Sequence, residues 1–89
     1  MGNVERLMTV EKTYYPLPTL NTITDSGFAY TQIYMVARSG VVHSQSNVDA
    51  DLLSGSPFYA YDQSTGTITF NPNIPFNENE SINVVYEIS

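Results

Sequence analysis

Residues 58–70 read FYAYDQSTGTITF, and their order of strand formers and turn formers decides the fold. Phe58 to Tyr61 is rich in aromatic residues, which favour strands. Directly after it, Asp62 can accept hydrogen bonds from the backbone ahead, and Gly66 can adopt a positive φ. Thr67 to Phe70 then alternates polar and apolar side chains. The stretch therefore predicts an antiparallel β-hairpin with its turn between Asp62 and Gly66.

The residues after this hairpin predict a break and then a closing strand. Asn71 to Pro75 contains two prolines, which cannot donate hydrogen bonds to a strand ladder, so the second strand ends there. Residues 77–80 read NENE and are typical of an acidic turn. Ser81 to Ile88 is the predicted last strand, and its apolar face is formed by Ile82, Val84, Tyr86 and Ile88.

A second hairpin is predicted upstream. Thr31 to Arg38 alternates as a strand does, Ser39-Gly40 is a turn signal, and Val41 to His43 returns as a short strand. The polar residues 44–56 are predicted to be a surface loop with room for one turn around Leu52-Leu53. Alternation puts two sets of side chains on opposite faces of the first strand: Ile33, Met35 and Ala37 on one, Tyr34, Val36 and Arg38 on the other.

The whole chain shows this pattern of short strands and frequent turns. Good helix formers are scarce, and β-branched and aromatic residues dominate the apolar set. About six or seven strands with turn signals roughly every eight to twelve residues are typical of a sandwich or small barrel. The sequence therefore predicts an all-β fold, a small antiparallel β-sandwich of Ig-like or jelly-roll-like type.

The N-terminal part follows a different pattern. Tyr14-Tyr15-Pro16-Leu17-Pro18 cannot form a helix or a central strand, because each proline fixes its own φ and restricts the preceding residue. Residues 1–13 are therefore either an edge strand or an extended arm, joined to the body by this elbow. We divide the chain into an arm and elbow, residues 1–19, and a β-sandwich domain, residues 20–89.

The length and cysteine content limit how this domain can be stabilised. A chain of 89 residues forms one domain with a thin core. It contains no cysteine, so it has no disulfide, and small domains without one are commonly stabilised by a metal or by oligomerisation. Since no metal cluster is evident, the sequence predicts a homo-oligomer.

The charge excludes several classes of partner. Nine acidic residues oppose three basic ones, which gives a net charge of -6. This balance argues against binding to nucleic acid or to anionic membranes, since both need Lys and Arg. Residues 1–13 do not resemble a signal peptide, and no apolar run approaches the length of a transmembrane helix.

The residues that could carry chemistry are few. His43 is the single histidine and is interpreted as an exposed hairpin residue. Asp49 and Asp51 are interpreted as solvated loop residues, with a weak structural cation site as the alternative. Glu78 and Glu80 lie in a turn that offers little burial for a general acid and base. We therefore expect no enzymatic activity, no cofactor and no bound metal.

Tyrosine is the one residue type in excess, with 7 in the chain. Tyrosine offers a large amphipathic area at low entropic cost, which suits interfaces. The alternative is that these rings fill the margins of a thin core. The residues predicted to form an interface are Tyr14, Tyr15, Leu17, Tyr34, Tyr59 and Tyr61.

Three motifs together resemble a known group of proteins. The hairpin has the form Y-D-x-x-T-G-T-I-x-F and the closing strand the form E-x-I-x-V-x-Y, while residues 33–42 contain V-x-R-x-G. This combination is similar to small β-sandwich structural modules of tailed-bacteriophage virion proteins. The resemblance implies a capsid decoration, head-fibre, neck or tail component, located in the virion. It carries no catalytic residues, and the N-terminal elbow departs from the pattern.

Two functions from different classes are compatible with these features. The first is a non-enzymatic phage structural protein that contacts other virion proteins and copies of itself. The second is a carbohydrate-binding or adhesin-like surface module, in which exposed tyrosines would stack on a glycan. The absence of tryptophan, which sugar platforms often use, favours the first.

Overall fold

The computed structural model describes residues 8–88, and its strands confirm the all-β prediction. The elements, in chain order, are Met8–Tyr14 (β1), Thr22–Thr24 (β2), the 3₁₀ turn Ser26–Phe28, Gln32–Arg38 (β3), Val41–Gln45 (β4), the short helix Asp49–Leu52 (α1), Phe58–Asp62 (β5), Thr67–Thr69 (β6) and Ile82–Ile88 (β7).

The seven strands form one mixed sheet in the order β1-β7-β3-β4-β5-β6-β2. The sheet curls into a half-barrel. A sandwich of antiparallel strands is not confirmed, because β4 and β5 pair in parallel, with Ser44 opposite Phe58 and Gln45 opposite Tyr59. Parallel neighbours need a crossover connection of about a dozen residues. The polar segment predicted as a surface loop, which includes α1, is that crossover.

The hairpin that decides the fold forms as predicted. The side chain of Asp62 accepts a hydrogen bond from the Ser64 amide at 3.0 Å, and the Gly66 amide donates to the Asp62 carbonyl at 2.9 Å. Gly66 has φ 71°, in the left-handed region that glycine favours. The returning strand brings Ile68 and Phe70 into the core, where both are fully buried.

The predicted faces of β3 are wrong, because the strand contains a β-bulge. The register shifts between Ile33 and Met35, so Tyr34 is an extra residue. Beyond the bulge, Val36 and Arg38 lie opposite buried residues of β7 and so share the face of Ile33, whereas simple alternation had grouped Ile33 with Met35 and Ala37. The bulge therefore turns Arg38 inward, and this side chain is buried.

The sequence left residues 1–13 as either an edge strand or an extended arm, and the structure shows an edge strand for the described part. Met8–Tyr14 is an edge strand that pairs antiparallel with β7 along its whole length, from Met8 opposite Ile88 to Tyr14 opposite Ile82. Residues 1–7 of the predicted arm lie outside the described residues. The division into units 1–19 and 20–89 stays a prediction.

Phe28 contacts both halves of the sheet, which are β1, β7, β3 and β4 on one side of the parallel pair and β5, β6 and β2 on the other. Phe28, at the end of the 3₁₀ turn, has no exposed surface. Its ring packs edge-on against Tyr14 of β1, with centroids 5.4 Å apart, and against Tyr86 of β7 at 4.9 Å. Its carbonyl accepts a hydrogen bond from the Tyr61 hydroxyl of β5. The core is therefore shared by both halves.

The packing around Gly66 in the hairpin turn predicts how much a side chain at this position would reduce stability. A Cβ at Gly66 would overlap the carbonyl oxygen of Asp25, whereas one at Gly40 (φ 80°) would meet nothing within 4 Å. Both glycines have positive φ, so replacing Gly40 with Ala measures the backbone strain alone. We expect Gly66→Ala to lower the free energy of unfolding by more than about 3 kcal/mol and Gly40→Ala by about 1 kcal/mol. Urea unfolding of both variants measures this, and equal losses would contradict the packing described.

Candidate interaction surface

Three separate parts of the chain lie at one end of the sheet. Tyr14 of β1 lies opposite Ile82 of β7, Ile82 lies opposite Arg38 of β3, and Arg38 lies opposite Val41 of β4. This row of four residues marks the end of the sheet from which the elbow, the β3–β4 turn and the β6–β7 loop extend. We call it the elbow end and define it by residues 15–20, 39–41 and 71–81.

Large apolar side chains are exposed at the elbow end. The most exposed are Tyr15, at 73%, and Leu17, at 71%. The others are Leu20, Val41 and Ile74. An exposed group of apolar side chains at one place commonly marks an interaction site.

The elbow is held at its base by the β6–β7 loop. The Thr19 amide donates to the Phe76 carbonyl at 2.9 Å, and the Phe76 amide donates to the Leu20 carbonyl at 2.7 Å. Pro16 and Pro18 fix φ on the preceding side. The exposed elbow is therefore presented on a restricted, anchored backbone.

A buried ion pair organises the loops of the elbow end. Arg38 donates from Nε to Glu80 Oε2 at 3.0 Å and from Nη2 to Glu80 Oε1 at 3.2 Å. The exposed fractions of the two side chains are 7% and 8%. Arg38 Nη2 also donates to the Pro75 carbonyl at 3.0 Å, and the guanidinium lies 4.9 Å from the Phe76 ring centroid. The pair joins β3 to both ends of the segment 75–80.

Glu80 has further partners that fix its position and charge. The Ser39 hydroxyl donates to it at 2.6 Å and the Asn77 amide at 3.0 Å. Hydrogen bonds from Arg38, Ser39 and Asn77 lower the pKa of Glu80 from its ordinary 4.5 to about 2, although burial opposes the shift. Sequence reasoning missed this pair and treated Glu80 as part of a solvated acidic turn. Its partner Arg38 is distant in sequence, and simple alternation put Arg38 on the face of β3 opposite Ile33.

A groove of about 370 Å³ lies beside the ion pair. Its apolar walls include Val41, Phe58 and Ile74, and polar groups line it as well. His43, predicted to be exposed, is instead half-buried here. Its Nδ1 lies 2.8 Å from the Val41 carbonyl oxygen, and its ring packs edge-on against Phe70 at 5.4 Å.

The charged residues are distributed unevenly along the chain. Residues 13–24, 39–48 and 63–77 contain no Asp, Glu, Lys or Arg, although the chain has a net charge of -6. The elbow, the start of β4 and the first part of the β6–β7 loop come from these segments. The elbow end is therefore nearly free of charge, since Arg38 and Glu80 neutralise each other.

The structure distributes the six predicted interface residues over several environments. Tyr15 and Leu17 lie together on the exposed elbow. Tyr14 and Tyr61 are half-buried against the core, and Tyr59 is a core residue with 4% exposure. Tyr34 is exposed at the bulge and is not brought together with Tyr59 or Tyr61. Only the elbow pair belongs to the surface defined here.

The other candidate residues do not form a second site. Asp49 and Asp51 lie in α1, and Asp51 accepts a hydrogen bond from the Ser46 hydroxyl at 2.6 Å. Within residues 8–88, no three His, Cys, Asp or Glu side chains are placed to hold a metal ion. In the same part of the chain, no helix has the length and apolar character needed to cross a membrane.

Comparisons with known proteins do not assign a family. No protein-family model and no curated protein matches the chain.

The buried ion pair predicts how stability depends on pH. The pKa of Glu80 is about 2 in the folded protein and 4.5 ordinarily, so the unfolded chain takes up a proton first as the pH falls. Stability from this group is complete above pH 4.5 and is lost as the pH approaches 2, by at most about 3 kcal/mol. We expect Glu80→Gln to be less stable than wild type near neutral pH and to lose less stability on acidification.

Urea unfolding near pH 6 and near pH 3 measures the difference. Glu78→Gln is the matched control, because it removes an exposed carboxylate from the same loop. This control should keep the pH dependence of the wild type. An equal loss of stability on acidification in the wild type and in Glu80→Gln would contradict the role assigned to the pair.

Proposed function

We propose that this protein is a non-enzymatic structural component of a tailed-phage virion, a capsid decoration, head-fibre, neck or tail protein, that assembles through subunit contacts. The observation that carries the assembly part is the elbow end, where exposed apolar side chains coincide with nearly charge-free segments. Its partners would be copies of itself and other virion proteins, with no nucleic acid and no membrane.

The composition of the elbow end supports a protein interface. Interface cores are depleted of charged residues and enriched in aromatic ones. Tyr15 and Leu17 combine this composition with an anchored backbone, which reduces the entropy lost on binding. The thin core and the lack of disulfides support the same conclusion, because contacts with a partner would add buried area.

The virion assignment is supported by the motifs and their placement. The Y-D-x-x-T-G-T-I-x-F motif lies on the β5–β6 hairpin, and the E-x-I-x-V-x-Y motif leads into β7. We propose that the two halves of the curled sheet, which both contact Phe28, correspond to the layers of the sandwich in such modules. The E-x-I motif begins at Glu80, so its acidic residue has a structural role.

A carbohydrate-binding function is the second candidate, and a different groove favours it. This groove, of about 420 Å³, is lined by Tyr61 and by polar side chains that include Gln45, Asp62 and Gln63. Planar amides beside a tyrosine suit hydroxyl-rich ligands. The assembly proposal expects no binding on a glycan array with or without calcium. A glycan that binds the wild type and is lost in Gln63→Ala would favour this second function.

The assembly proposal predicts a specific effect of charge at the elbow. Tyr15 and Tyr30 have nearly equal exposure, 73% and 74%, but Tyr30 precedes β3 at the opposite end of the sheet. We expect the wild type to self-associate at micromolar concentration and Tyr15→Asp to raise the dissociation constant at least about tenfold. Tyr30→Asp, which adds the same charge, should leave it unchanged. Light scattering over a concentration series measures this, and a strictly monomeric wild type would refute the proposal.

A further inference from the structure

The β6–β7 loop separates the elbow from the groove of 370 Å³. On one side, Phe76 exchanges hydrogen bonds with Thr19 and Leu20 of the elbow. On the other side, Ile74, Asn77 and Glu80 of the same loop line the groove. We call residues 74–80 the ridge. The elbow and the groove are therefore neighbours at the same end of the molecule, on opposite sides of one ridge.

The groove suits apolar side chains on an extended backbone. Its volume lies at the small end of the range for ligand sites, about 300 to 1,000 Å³. Val41 and Ile74 in its walls are half exposed, at 52% and 51%, so apolar surface remains uncovered there. Asn71 and Asn77 add amide groups that can bind the backbone of an extended segment.

The elbow has the properties of such a segment. In Tyr15-Pro16-Leu17-Pro18, the prolines hold the backbone in an extended form, so little conformational entropy is lost on docking. Proline-containing extended segments are commonly recognised by shallow grooves for this reason. The apolar side chains between the prolines and before them are more than two-thirds exposed.

We propose that the partner at the elbow end is a second copy of this chain, related by a two-fold axis that runs along the ridge. This inference rests on the proposed assembly function and names its partner. A two-fold axis along the ridge exchanges its two sides, so the elbow of each copy lies over the groove of the other. Leu17 of one copy then packs against Val41 and Ile74 of its mate. Each copy makes the same contact with the other, so the assembly is a closed dimer.

Charge favours a second copy over a charged partner. Two chains of net charge -6 repel each other, so they can meet closely only where charged residues are few. The elbow and the apolar walls of the groove come from segments without charged residues. Within the ridge, Glu80 is neutralised by Arg38, and Glu78 is exposed. The pair of Glu78 side chains near the axis gives a weak repulsion that salt should screen.

The absence of cysteine from the chain allows a direct test. Leu17→Cys and Val41→Cys are made as separate full-length variants, mixed in equal amounts and oxidised, so that every disulfide joins two molecules. Intact mass distinguishes the mixed product from the two symmetric ones. We expect the mixed Leu17→Cys/Val41→Cys disulfide to exceed the other products by about tenfold, because binding raises the effective concentration of the two thiols. The matched control mixes Leu17→Cys with Tyr30→Cys, whose position is equally exposed at the opposite end.

Each outcome decides between the proposals. A dominant Leu17→Cys/Leu17→Cys product would overturn the inference, because it would place elbow against elbow. Mixed disulfide at the level of the control, with association of the wild type that Tyr15→Asp still weakens, would refute reciprocal docking and leave the assembly function standing. A wild type that is monomeric by light scattering would overturn both.

Discussion

The arrangement of the elbow end depends on the ion pair between Arg38 and Glu80. This pair exists because the bulge at Tyr34 shifts β3 by one residue and turns Arg38 towards the core. Glu80 pairs with Arg38 at the end of β3. The loop before Glu80 is fixed because Arg38 donates to the Pro75 carbonyl and the Asn77 amide donates to Glu80. The ridge formed in this way anchors the elbow on one side and forms a wall of the groove on the other. A single irregularity in one strand thus positions residues from three parts of the chain.

The ion pair also restricts the arrangement of these loops. Removing two charges from water is expensive, and a buried pair often gains no more than apolar side chains of similar size would. In this protein the cost is offset by additional hydrogen bonds, since Glu80 also accepts from Ser39 and Asn77. The guanidinium lies 5.5 Å and 4.9 Å from the ring centroids of Phe70 and Phe76. Alternative loop conformations would leave a buried charge unpaired, so the pair selects one conformation among many.

Local sequence patterns predicted the parts of this fold that depend on local chemistry. The Asp62–Gly66 turn, the strands beside it and the closing strand follow from turn residues and alternation. The bulge at Tyr34 and the parallel pairing of β4 with β5 depend on partners distant in sequence, so alternation could not predict them. The elbow end, too, could be predicted only where it depends on local sequence. The prolines marked out Tyr15 and Leu17, whereas Val41 and Ile74 joined them only through the pairing of strands and the course of the β6–β7 loop.

The distribution of charge also explains why association would involve the elbow end and not the free edge of β1. An unpaired edge strand is a ready template for pairing with a second copy, and β1 is such a strand over residues 8–14. Full-length antiparallel pairing of two β1 strands would place Glu11 opposite Glu11, and like charges opposite each other destabilise a sheet. The charges of β1 therefore oppose pairing at its edge, while the elbow and the apolar walls of the groove carry no charge that would oppose contact. In the proposed dimer, acidic residues elsewhere on the surface and their scarcity at the elbow end would together direct two copies to one contact.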